Sequence, residues 1–79
     1  MQQLELELTS KIAELAEIPP ERVERDTPLK DLGVDSLMVL ELVAFIEKRT
    51  RCEIPESEIP KVRTLGDILE HVRNGNGRL

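Results

Sequence analysis

The stretch "LGVDSLMVLELV", residues 32–43, sets a polar loop against the most apolar run of the chain, with a serine at the junction. Its apolar residues do not alternate as a strand would require. At 3.6 residues per turn, Val39, Leu42, Val43 and Ile46 form one broad arc. This predicts a helix from Asp35 or Ser36 to about Arg49. Asp35 at its start and Lys48, Arg49 and Arg51 at its end suit the helix dipole, and Pro55 bars continuation. The same wheel leaves Leu37, Leu40 and Ala44 beside Glu41, Glu47 and Lys48 on the far side. A helix packed along one face has no need of apolar groups there. Several of them bordered by acids form a candidate docking stripe.

Outward from this helix the elements follow by period. "LELEL", residues 4–8, alternates like a strand, but Leu4, Leu8, Ile12 and Leu15 share one helical face among good helix formers. A helix over roughly 3–17 is expected, with Leu6 off the stripe and Pro19-Pro20 closing it. Residues 18–35 read as a long loop, with Val23, Leu29 and Leu32 as its anchors in the core. "PESEIP" permits one short helical turn between prolines. Thr64 caps a last helix over about 65–73 whose apolar face is Leu65, Ile68, Leu69 and Val72. "NGNGRL", residues 74–79, reads as a flexible tail. The expected fold is all-α, a small antiparallel bundle of three main helices and one short one. The chain is one domain, with Leu42, Ile46, Ile54, Val62, Leu65 and Ile68 lining the core.

Composition narrows the function. Seventy-nine residues support one modest core. Cys52 is the single cysteine, so neither a disulfide nor a cysteine-pair zinc site is available, and a structural role in a reducing compartment is expected. The net charge of −5 lies wholly in residues 1–35, which hold nine acids against four bases. An acidic chain with no Trp or Tyr lacks the basic stripe and stacking platforms of a nucleic-acid binder. No stretch is long enough to span a membrane, and "MQQLELELTS" lacks the pattern of a signal peptide. A soluble, monomeric, cytoplasmic protein is expected. Met1 fits a free-standing chain, although an excised module with an added methionine reads the same.

Ser36 admits three readings. By position alone, helix capping is favoured, since serine and aspartate both cap well; neither Asp35 nor Ser36 has the Glu or Gln of a capping box three residues on. Nucleophilic catalysis requires a base and an oxyanion site. The only histidine is the distant His71, and the second glycine of a nucleophile elbow is missing. The third reading is attachment. A hydroxyl at a helix start lies among free N–H groups in a field that favours an anion, and Gly33 allows the tight turn that presents it.

"DLGVDSLMVLELV", residues 31–43, resembles the Asp-Leu-Gly-x-Asp-Ser-Leu attachment motif of acyl carrier proteins. The resemblance extends through "CEIPESEI" and "VRTLGDILEHV" in the family's order and covers about residues 3–73. It implies that Ser36 carries 4′-phosphopantetheine, derived from coenzyme A, with Gly33, Asp35 and Leu37 as the rest of the motif. The arm's thiol bears acyl thioesters, so the protein is a carrier and not an enzyme, and no metal is implied. The implied partners are a phosphopantetheinyl transferase, an acyltransferase or acyl-activating enzyme, and a ketosynthase with other synthase enzymes. They would dock on Asp35, Leu37, Met38 and Leu40, and on Glu41, Ala44 and Glu47.

Housekeeping fatty-acid carriers commonly place an acid after the Ser-Leu pair and further acids late in this helix. Here Met38 stands at the first place, and Lys48 and Arg49 at the others. That tilts the expectation toward polyketide or other specialised acyl biosynthesis, with fatty-acid synthesis as the alternative. A peptidyl carrier fits less well, because Val34 stands where those usually have a second glycine. Outside the carrier class, the competing reading is a helical interaction domain in which Ser36 merely caps.

Overall fold

The computed structural model describes residues 2–76. Three α-helices, α1 (Gln2–Ala16), α2 (Ser36–Thr50) and α3 (Leu65–Asn76), surround one core, and 3-10 turns at Pro20–Arg22, Leu29–Leu32 and Glu56–Lys61 punctuate the connections. No strand occurs among the described residues. The all-α architecture expected from the periodicities is present, and the short fourth helix is the turn over "ESEIPK".

The "LELEL" ambiguity resolves as helix. Leu8 and Ile12 are fully buried, Leu4 and Leu15 pack on the margin of the core, and Leu6 faces solvent. A strand would have put Leu4, Leu6 and Leu8 on one face. The helix ends one residue before the expected boundary, and its stop is a cap rather than the prolines. Glu17 takes a left-handed conformation (φ 58°). Its N–H donates to Glu14 O (3.3 Å), and the Ile18 N–H donates to Ala13 O (3.0 Å). These two bonds make a Schellman motif with glutamate where glycine is usual. Ile18 completes it by packing on the core.

All three expected loop anchors, Val23, Leu29 and Leu32, are buried, and so is Val34, which periodicity had not marked. Two backbone bonds lace this loop to the segment before α3. The Leu29 N–H donates to Arg63 O (2.8 Å) and the Gly66 N–H to Arg25 O (3.0 Å). A Cβ on Gly66 would stand 3.3 Å from that same carbonyl, so the close approach favours glycine.

On α2, Leu42, Val43 and Ile46 are buried and Leu37, Leu40, Glu41, Ala44 and Lys48 face outward, as the wheel predicted. The helix closes at Arg51, left-handed at φ 59°, whose N–H donates to Glu47 O (2.7 Å). α3 starts from a reciprocal cap. Thr64 Oγ1 accepts the Asp67 N–H (3.1 Å), while Asp67 Oδ2 accepts the N–H groups of Arg63 and Thr64 (3.1 and 3.2 Å). The helix continues to Asn76, past the expected end at 73, so "NGN" extends it instead of opening a tail. Gly77–Leu79 lie outside the described residues.

The largest fully buried side chains are Leu8, Ile12, Leu42, Ile46, Leu65, Ile68 and Val72, drawn from all three helices. Each such side chain contributes about 1.5–3 kcal/mol by burial. All six residues expected to line the core are buried. Two arginine–carboxylate forks tie α1 to the rest. Arg25 donates through Nε and Nη2 to Glu5 (2.8 and 2.7 Å), and Arg49 through Nε to Glu7 Oε1 (2.8 Å) and through Nη2 to Oε2. Hydrogen bonding from Arg25 holds the Glu5 carboxyl below its ordinary value of 4.5. Arg49 and then Gln3 do the same for Glu7.

Two predictions follow from these contacts. Glu17→Gly should raise stability by about 1 kcal/mol, because a side chain at φ 58° costs about that much and glycine escapes it; a loss in equilibrium urea unfolding would exclude the motif. For Glu5 and Glu7, a carboxyl lowered on folding adds stability that is present above its unfolded pKa and lost as pH falls through the folded one. The stability gap between wild type and Glu7→Gln should therefore hold at neutral pH and shrink once pH drops below 4.5. A gap that widens with acid would contradict the Arg49 pairing.

Candidate functional site

The corner before α2 is built in three steps. The turn Leu29–Leu32 ends at Gly33, whose φ of 93° is left-handed, and whose N–H bonds to Lys30 O (3.1 Å). A Cβ there would meet nothing within 4 Å, so the requirement for glycine is conformational and not steric. Val34 then turns into the core, its N–H bonded to Leu29 O (3.1 Å). Asp35 follows with extended geometry (φ −98°, ψ −177°), and its Oδ1 accepts the Met38 N–H at 2.9 Å.

Asp35 is thus the N-cap, and Ser36 is the first helical residue. The capping reading of Ser36 is corrected accordingly: the orphan donor it would have satisfied is already taken by its neighbour. Ser36 is exposed, and its hydroxyl makes no hydrogen bond among the described residues. The N–H groups of Ser36 and Leu37 have no backbone partner there either, since the first intrahelical bond is Val39 N–H to Asp35 O (3.0 Å). The first turn of α2 carries no acid. A phosphodiester on Ser36 Oγ would meet two free donors and the positive end of a helix. Catalysis by Ser36 finds no support here, because the His71 ring engages Glu53 O (3.4 Å) on another segment.

The expected docking residues divide. Leu37 is 71% exposed and Leu40 52%, with Glu41 and Ala44 exposed beside them. Met38 is half-buried against the core. Glu47 differs from expectation. It is half-buried, and its Oε2 accepts the Ile54 N–H (3.0 Å), so its charge fastens the loop after α2. Arg49 is likewise turned to Glu7 on α1.

Alongside Ser36 runs a cleft of about 450 Å³ whose walls include Val34, Val39, Leu40, Ile59 and Val62. Sequence reading missed Val34 and Ile59 as members of the site. The signal was available in Ile59, an apolar residue inside a charged turn next to Pro60.

A family model described as "Phosphopantetheine attachment site" matches residues 7–72. The chain belongs to the phosphopantetheine attachment site family. It is 37% identical over 62 residues to an acyl carrier protein of Wolinella succinogenes, covering 77% of this chain and 82% of that one. Against an acyl carrier protein of Campylobacter hominis it is 35% identical over 71 residues, 89% and 90% of the two chains. It is also 36% identical over 66 residues to the non-reducing polyketide synthase pigA of Monascus ruber, covering 84% of this chain but 2% of the synthase. Membership makes this chain a carrier rather than an enzyme, with 4′-phosphopantetheine as its prosthetic group.

The division of labour at the corner of this carrier can be measured. Asp35→Ala should cost about 1 kcal/mol through loss of the cap, whereas Ser36→Ala should stay within about 0.5 kcal/mol of wild type. The reverse order in urea unfolding would return the cap to Ser36.

Proposed function

We propose that Ser36 bears the 4′-phosphopantetheine arm, and that the protein presents acyl groups to the enzymes of polyketide or another specialised acyl pathway. The observation that carries the attachment is the unpartnered, exposed hydroxyl at the first position of α2. A serine kept for stability would be the cap, and here Asp35 has that place. When bound, the arm supplies a terminal thiol that holds acyl groups as thioesters.

The chain's own residues prepare the site. Gly33 turns the backbone, buried Val34 anchors it, and Asp35 fixes the first turn so that Ser36 Oγ faces outward. On modification Ser36 Oγ attacks the pyrophosphate of coenzyme A, forming the phosphodiester to the arm while the P–O bond to the adenosine bisphosphate half breaks and that half leaves. The hydroxyl proton goes to a base of the phosphopantetheinyl transferase, since no imidazole or carboxylate of this chain hydrogen-bonds to it among the described residues. Leu37, Leu40 and Ala44 offer the transferase, the acyl-loading enzyme and the ketosynthase an apolar stripe on α2.

The pathway reading rests on charge. With no acid in the first turn, Glu47 committed to Ile54 and Asp35 to its cap, Glu41 is the one acid left fully outward on the stripe. Such a face suits partners that grip by apolar contact more than by matched charge. Among the described residues no helix is long and apolar enough to cross a membrane. A monomer in the cytoplasm, where coenzyme A thioesters and their enzymes meet, fits the same reading.

Incubation with a phosphopantetheinyl transferase and coenzyme A, followed by intact-mass measurement, should show one added arm on the wild type and none on Ser36→Ala. An arm on the variant would overturn the assignment. Leu40→Asp should leave the melting temperature nearly unchanged yet slow modification about tenfold, the effect of one interface anchor. Unfolding of that variant would place Leu40 in the core, and a normal rate would take it off the transferase's surface. Faster elongation of the loaded protein by a fatty-acid ketosynthase than by a polyketide one would reverse the pathway reading.

A further inference from the structure

The cleft beside Ser36 does not end at Val62. A second cleft, of about 500 Å³, shares Val34, Val39 and Val62 with it and runs on to Pro28, Lys30, Arg63 and Asp67. The two form one trough with Ser36 at the near end and an apolar middle. Its far rim differs in chemistry, because it carries two cationic side chains, Lys30 and Arg63. They sit on neighbouring strips of backbone stitched by the Leu29 N–H to Arg63 O bond.

Neither cation has an ion-pair partner among the described residues, although four other Lys and Arg side chains do. The acid on this rim, Asp67, has its Oδ2 bound by the N–H groups of Arg63 and Thr64 at the start of α3, where the helix end compensates its charge. An alkyl chain would use only the apolar middle of such a trough. A chain ending in a carboxylate would use the middle and the rim together, and arginine and lysine are the side chains that receive carboxylates.

We infer that the trough favours acyl groups whose far end is a carboxylate, held by Lys30 and Arg63. The inference rests on the arm being at Ser36. Because both side chains are exposed, the preference is modest and sensitive to salt. It would distinguish dicarboxylate-derived from simple fatty acyl cargo.

The test loads the full-length protein from adipoyl- or hexanoyl-coenzyme A with a phosphopantetheinyl transferase, and confirms by intact mass that each sample carries one acyl arm. In amide NMR spectra at low salt, the adipoyl form should shift Lys30, Arg63 and Thr64 relative to the hexanoyl form, and about 0.5 M NaCl should erase the difference. Lys30→Ala/Arg63→Ala should lose the adipoyl group to hydroxylamine, as adipoyl hydroxamate with the arm's thiol set free, about two- to fivefold faster than wild type, the factor one exposed ion pair supplies. Loss of the hexanoyl group as its hydroxamate should change little. Identical spectra for the two loaded forms, or equal effects of the double variant on both cargoes, would overturn the inference while leaving the arm at Ser36 intact. Failure of the wild type to take up any arm would instead sink the attachment reading and this one with it.

Discussion

The hydrogen bond from the Met38 N–H to Asp35 Oδ1 fixes where α2 begins. Residue spacing fixes the faces of the helix relative to one another, and packing of Leu42, Val43 and Ile46 turns one of them inward while Leu37, Leu40 and Ala44 stay outside. The cap decides where the first turn opens, and so which residue stands at its first position. The same bond also relieves Ser36 of any structural duty. The first turn of α2 and the corner at Ser36 therefore share one carboxylate, with Gly33 and buried Val34 shaping the turn before it.

The acidic first half of the chain looks different once its partners are known. Glu5 and Glu7 face Arg25 and Arg49, so part of the surplus negative charge serves to hold α1 against the loop and α2. Lys11 stands 5.7 Å from the centre of the Phe45 ring, adding a cation–π contact across the same seam. What remains outward on the α2 stripe is mostly apolar. Net charge alone would have suggested a broadly acidic docking face; the pairing pattern leaves a narrower one.

Much of the fold was legible because it depends on local period. The stripes of α1, α2 and α3, the anchors Val23, Leu29 and Leu32, and the Thr64 cap all follow from residues within a few positions of each other. Three features were not legible, each for its own reason. Asp35 and Ser36 are equally good caps, and without a capping box no sequence feature chooses between them. The stop at Glu17 uses a conformation for which glycine or asparagine is the usual cue, so the nearby prolines drew the attention. The commitments of Glu47 to Ile54 and of Arg49 to Glu7 join groups 7 and 42 positions apart, and tertiary packing alone brings them together. The motif around Ser36 drew attention to this corner, but which residue caps and which stands free was decided by backbone geometry.

The two backbone bonds that lace the first long loop to the start of α3 make the trough mechanically asymmetric. Its wall at Lys30 and Arg63 is bolted by Leu29 to Arg63 and by Gly66 to Arg25. Nearer Ser36 the lining residues Ile59 and Pro60 belong to a 3-10 turn with a proline inside it, and 3-10 bonds are the weaker kind. Contents of the trough would therefore press against a braced rim at one end and a more loosely held turn at the other. Such an arrangement would discriminate length more sharply than girth.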